Sequence, residues 1–70
     1  MDKISITSKI LKIYNKEQHP TEKEIIAFIS ALGNIGNDNV VDIILKTYDE
    51  SNKTSGIRIA TITALSRCCD

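Results

Sequence analysis

No tryptophan occurs in this chain of 70 residues, phenylalanine and proline occur once each, and there are only three glycines, two cysteines and one histidine. With so few rings, the core has to be built from aliphatic side chains. A single core of this size supplies about 3–5 kcal/mol, so chains this short usually lean on disulfides, a metal or a neighbour. Cys68 and Cys69 are adjacent, a spacing that bridges only with strain. Together with His19 they do not make the four spaced ligands of a zinc site. No run of about 18 apolar residues is present to span a bilayer, and Met1 to Ile10 alternates polar and apolar residues instead of forming a signal-peptide core. Charge of one sign is missing too, with nine Lys+Arg against nine Asp+Glu, whereas a domain that coats nucleic acid carries a basic excess. Gly33-x-x-Gly36 lacks the flanking strand and third glycine of a nucleotide fingerprint. No nucleophile or carboxylate pair stands in a supporting context. The expectation is a one-domain, non-enzymatic chain with no cofactor, no metal, no nucleic-acid partner and no membrane span.

What the chain does contain is isoleucine, 13 of them, and an internal repeat. At an offset of 34, Ile10-Leu11-Lys12-Ile13-Tyr14 lies over Ile44-Leu45-Lys46-Thr47-Tyr48, and Ile6 over Val40. At an offset of 33, Ile26-Ala27 lies over Ile59-Ala60, Ile29 over Ile62, and Ser30-Ala31-Leu32 over Thr63-Ala64-Leu65. Two blocks in the same order at nearly one offset mark a repeat architecture. The one-residue difference falls in the polar stretch from Lys16 to Lys23 or its counterpart from Glu50 to Gly56, where length changes are tolerated.

The β-branched content favours strands, but the spacing favours helices. Ile25, Phe28, Ile29 and Leu32 gather on one helical face, as do Val40, Val41, Ile44, Leu45 and Tyr48. Thr21-Glu22-Lys23-Glu24 is a capping box, and Pro20 stops the segment before it. Gly33 and Gly36 are expected to break the second helix. Asn37 or Asp38 caps the third, with Asp42 one turn in, and Thr54 or Ser55 caps the fourth. The spacing predicts helices at about 3–17, 22–33, 38–50 and 56–68. Helices of this length joined by short turns pack antiparallel, and hairpins repeating every 33–34 residues form an α-solenoid. The expected fold is therefore all-α, four helices in about two repeats of an α-α superhelix. Ala27 and Ala31, matched by Ala60 and Ala64, would admit a neighbouring backbone at the same place in each unit. Tyr14 and Tyr48 end the apolar stripes, where a ring packs while its hydroxyl stays wet.

The run Ala31-Leu32-Gly33-Asn34-Ile35-Gly36-Asn37-Asp38, followed by Val40-Val41 and Ile44-Leu45, resembles HEAT-like repeats of the kind found in phycobilin lyases and scaffold proteins. Ile57-Arg58 stands for the Val-Arg that opens the family's next helix. The chain departs from that pattern at Asn37 for Asp, at Ile25 for Arg, and at Ser66, Cys68 and Cys69 in the last turn. These exchanges weaken any Asp-to-Arg ladder. The same Ala-Leu-Gly-Asn turn, the polar linker from Asp49 to Gly56 and the ending from Ile57 to Arg67 are also similar to the helical domain of large lipid transfer proteins such as vitellogenin and apolipophorin. The first resemblance implies a cytoplasmic binding or scaffold module that engages a protein partner or neighbouring repeats. A lyase-like enzyme role is a distant variant of it. The second implies a secreted lipid carrier, whose helices form a curved shell beside a lipid cavity; the 70 residues alone would not hold lipid.

The candidate partner-binding surface consists of Lys9 and Lys12, with Lys16 on the same face of the first helix, and of Asp42 and Lys46, an i, i+4 pair on the third. Lys12 and Lys46 are repeat equivalents and would form a short row of charge facing an acidic peptide or polar surface, against the plainer reading of a solvated helix face. Cys68 stands at the position of Ile35 and is read as a small core hydrophobe. Pairing of either cysteine with another chain would need an oxidising compartment. His19 is read as a loop residue. Asn52-Lys53-Thr54 is a glycosylation sequon of a kind that composition alone supplies. Neither Ile4/Ile6/Ile10 at one end nor Ile59/Ile62/Cys68 at the other resembles a polar cap, which leaves both ends open to further repeats or to self-association.

Overall fold

The computed structural model describes residues 3–16 and 19–68, residues 3 and 4 for the backbone alone. Four helices follow in order, α1 (Lys3–Asn15), α2 (Glu22–Ile35), α3 (Asp38–Asp49) and α4 (Ser55–Cys68), and no strand occurs among the described residues. Helical spacing of the apolar residues thus prevails over the strand preference of isoleucine, because propensity is worth only tenths of a kcal/mol per residue, roughly, and burial of one face is worth far more.

Four of the helix ends have an identifiable chemical cause. At the start of α2 the capping box is closed: the Thr21 amide donates to Glu24 Oε1 at 2.8 Å, and the Glu24 amide donates to Thr21 Oγ1 at 3.2 Å. Gly36, at φ 71°, takes the left-handed conformation that ends α2, and its amide donates to the Leu32 carbonyl at 3.1 Å. Asn37 rather than Asp38 caps α3, its Oδ1 accepting from the Asn39 amide at 3.0 Å. Thr54 rather than Ser55 serves α4: its Oγ1 accepts from the Ile57 amide at 3.3 Å, and its carbonyl accepts from Arg58 at 2.9 Å. Between α3 and α4, Lys53 adopts φ 55°, with its amide bonded to Ser51 Oγ and its Nζ donating to the Asp49 carbonyl.

The seam between α2 and α4 is the most extensive in the fold, α3 packs beside both, and α1 packs chiefly on α2. α2 and α4 form one layer, α1 and α3 the other, and the shortest dimension of the Cα envelope is 16 Å. That is roughly the thickness of two helix layers with axes about 8–10 Å apart. Ile29, Leu32, Val40, Ile44 and Ile57 are almost fully buried between them. Thr47 and Thr61 are buried as well, each hydroxyl donating back to the carbonyl four residues earlier, Ile43 and Ile57.

Three expectations are corrected. Gly33 does not break α2, which runs on to Ile35; Gly33 is buried inside it because a Cβ there would lie 2.7 Å from both Cα and Cβ of Ala64. The second pair of alanines is buried but the first is not: Ala60 and Ala64 are in the core, Ala27 is exposed and Ala31 half-buried. Leu45 lies outside the core at 46% exposure, on the margin of the stripe formed by Val40 and Ile44.

The two close glycines make opposite predictions. At Gly33 the obstacle is backbone, so Gly33→Ala lowers stability by about 1–3 kcal/mol, although alanine inside a helix is favoured by about 1 kcal/mol. At Gly56 the nearest atoms are Glu22 Oε2 at 2.6 Å and Ile26 Cδ1 at 3.0 Å, the far ends of flexible side chains, although that carboxylate oxygen also accepts from the exposed Thr54 hydroxyl. Gly56→Ala therefore leaves stability within about 1 kcal/mol of the parent. Urea melts of the two variants check this, and equal losses would contradict it.

Candidate functional site

The aromatic residues meet where α1 crosses α2. Tyr14 stacks on Phe28 with ring centroids 3.9 Å apart and planes 10° from parallel. On one side of the stack Ile10, Ile13, Ala27 and Ala31 line an apolar groove of about 260 Å³, with Glu24 at its rim. On the other side a second groove runs between α1 and α3, lined by Leu11, Ile43, Lys46 and Thr47. Tyr14 is half-buried, and burial pushes its phenol above the ordinary value of 10.0, with the charges of Glu50 and Glu24 pushing the same way. The repeat does not duplicate the stack. Phe28 corresponds to Thr61, and Tyr48, the counterpart of Tyr14, instead has Lys53 Nζ 5.6 Å from its ring centroid.

Lys9, Lys12, Asp42 and Lys46 are all exposed, as is Lys16. Lys46 borders the groove between α1 and α3, so the two helices that carry these charges share one side of the molecule. Asp42 and Lys46 stand one turn apart on α3. His19 is exposed next to Pro20, outside any helix. Cys68 is half-buried and packs against the core as the repeat position of Ile35 implies, while Cys69 lies outside the described residues. Asn52 of the sequon is exposed, and the Thr54 hydroxyl is engaged with both Glu22 and the Ile57 amide. Among the described residues no three His, Cys, Asp or Glu side chains gather as a metal site, and no buried side-chain polar atom lacks a partner. The arrangement offers apolar grooves and faces, the equipment for packing and binding.

Those faces lie at the two ends of the stack of helices. Ile59 and Ile62 are 65% and 69% exposed on the side of α4 away from α2, as the sequence suggests. At the opposite end the sequence points to Ile6 and Ile10, yet both are half-buried against the core, and Ile13 is the open residue at 75%; Ile4 has no described side chain. α3 is flanked by both α2 and α4, whereas α1 is flanked chiefly by α2. Ile13 therefore lies bare while its equivalent, Thr47, is buried.

The four helices and their internal repeat define an all-α, helical repeat-like module. The family model for the vitellogenin TPR domain matches residues 5–70, and the chain belongs to that family. The match supports the resemblance to large lipid transfer proteins and does not extend to the HEAT-like, phycobilin lyase-type pattern. No curated protein matches the chain, and no solved structure does.

The Tyr14 environment carries a pH signature. Because the phenol titrates higher in the folded chain than unfolded, its neutral form contributes stability that is constant below the ordinary value of 10.0 and is lost as pH rises through the folded value. As pH rises above about 10 the thermal midpoint of the parent falls more steeply than that of Tyr14→Phe, whereas at lower pH the two curves run parallel. Curves that stay parallel above that pH would remove the assigned cause.

Proposed function

We propose that the chain is a non-enzymatic helical repeat unit of a secreted, vitellogenin-like lipid transfer protein, in which it forms part of a curved helical wall. The observation that carries this reading is the family match over residues 5–70. Two layers of short helices with apolar residues left open at both ends suit a unit stacked within a longer superhelix. The apolar groove of about 260 Å³ falls below the roughly 300–1,000 Å³ of ordinary ligand sites, so lipid would be held by the assembled wall and not by these residues alone. The row of Lys9, Lys12 and Lys46 is then the polar outer surface of that wall. A cytoplasmic protein-binding scaffold accounts for the same helices, but the family match favours the lipid carrier. No described helix is long and apolar enough to cross a membrane.

The test is lipid content. The full-length gene product, purified from cells that secrete it without detergent, is expected to carry phospholipid or neutral lipid recoverable by organic extraction and mass spectrometry. A secreted preparation free of lipid would overturn the carrier reading.

A further inference from the structure

The strongest unassigned feature is a pair of faces at opposite ends of the molecule that the repeat relates to one another. The α2–α4 seam is built from one edge of each helix. α2 contributes Glu22, Ile26 and Gly33; α4 contributes Gly56 and Ala64, with Ile26 Cδ1 over Gly56 and the Gly33 backbone against Ala64. Polar latches close both ends of the seam, Thr54 Oγ1 donating to Glu22 Oε2 at 2.7 Å and Arg67 to Asn34 Oδ1 at 2.6 Å. A shift of 33 residues carries Ile26 and Ile29 onto Ile59 and Ile62, and carries Ala27 and Ala31 onto Ala60 and Ala64. Each of the helices thus bears both halves of the seam, and only one half of each is occupied. The vacant half on α2 borders the apolar groove; the vacant half on α4 is the bare Ile59/Ile62 ridge. Apolar residues consequently lie on two opposite faces of α4, the pattern of a helix packed on both sides.

We propose that this chain associates head to tail, the Ile59/Ile62 ridge of one copy entering the groove between α1 and α2 of a second copy and continuing the α2–α4 seam across the junction. The contact is heterologous, since the two surfaces differ, and it propagates instead of closing into a two-fold dimer. In the same register Leu45, exposed at this end, takes up the position that Leu11 holds beside α3, and Ile13 is covered from the α1 side. Two departures make the junction weaker than the internal seam. Lys23 stands at the position of Gly56 and Ser66 at that of Gly33, so the backbones cannot approach as closely. This inference does not rest on the lipid reading: within a longer superhelix the same two faces would meet adjacent repeats of one polypeptide, and in the 70-residue chain they meet copies of it.

The decisive experiment is sedimentation velocity on the 70-residue chain from about 10 μM to 1 mM, a range that spans weak contacts, with Ile62→Glu and Ala27→Lys as variants. Both positions are exposed, and circular dichroism verifies that each variant stays helical. The parent is expected to grow with concentration beyond a dimer. Either substitution alone weakens association at least about tenfold, because it places an unpaired charge in an apolar contact. An equimolar mixture of the two forms a one-to-one complex that grows no further, since it unites one intact groove with one intact ridge. A parent that remains monomeric, a closed dimer, or association unchanged by Ile62→Glu overturns the proposal. A monomer that floats with phosphatidylcholine vesicles in an Ile62-dependent manner also overturns it, and assigns the ridge to lipid.

Discussion

The fold depends on how closely α2 can approach α4. A helix pair joined by bulky side chains has axes about 8–10 Å apart. Here Gly33 removes the Cβ that would collide with the Ala64 backbone, and the two helices approach closely enough to be latched at both ends by Glu22–Thr54 and Asn34–Arg67. With that seam formed, Ile29, Leu32 and Ile57 are enclosed, and α3 finds a surface made by both helices on which to bury Val40 and Ile44. Thr54 connects local and tertiary order, since the same hydroxyl accepts from the α4 amide and donates to the α2 carboxylate. The start of α4 is thereby set against the start of α2.

The repeat is strict in its frame and loose in its filling. The alanines and isoleucines that govern helix approach recur at offsets of 33 and 34. Some of the residues set on that frame do not recur: buried Phe28 is answered by Thr61, and exposed Ile13 by buried Thr47. The aromatic stack consequently occupies the first unit only, and in the second a threonine hydroxyl bonds its own helix instead. A family defined by helical repeats tolerates such exchange because each unit touches only its neighbours.

Much of this was legible from the residues. The capping box at Thr21, the αL stop at Gly36, the buried stripes and the bare Ile59/Ile62 face are local or periodic features, and they appear where the pattern places them. Gly33 was not legible, because a glycine within a helix reads as a weak point until its partner in space is known, and Ala64 is 31 positions away. Ile6, Ile10 and Ala27 were misplaced for a related reason: periodicity says which residues share a face but not whether another helix covers it. The charged row of Lys9, Lys12, Asp42 and Lys46 is exposed as expected, yet exposure is common to nearly all such residues and distinguishes no site. The family similarity identified the lipid-carrier resemblance, which composition could not have done.

The unequal embrace of the helices has a dynamic meaning. α1 is held chiefly by α2, through the Tyr14–Phe28 stack and its flanking isoleucines, whereas α2, α3 and α4 hold one another. Native proteins open in cooperative pieces, the least-packed first. α1 is therefore the element expected to detach first, which would strip the cover from Phe28, and a neighbour seated in the groove beside Tyr14 would hold it in place.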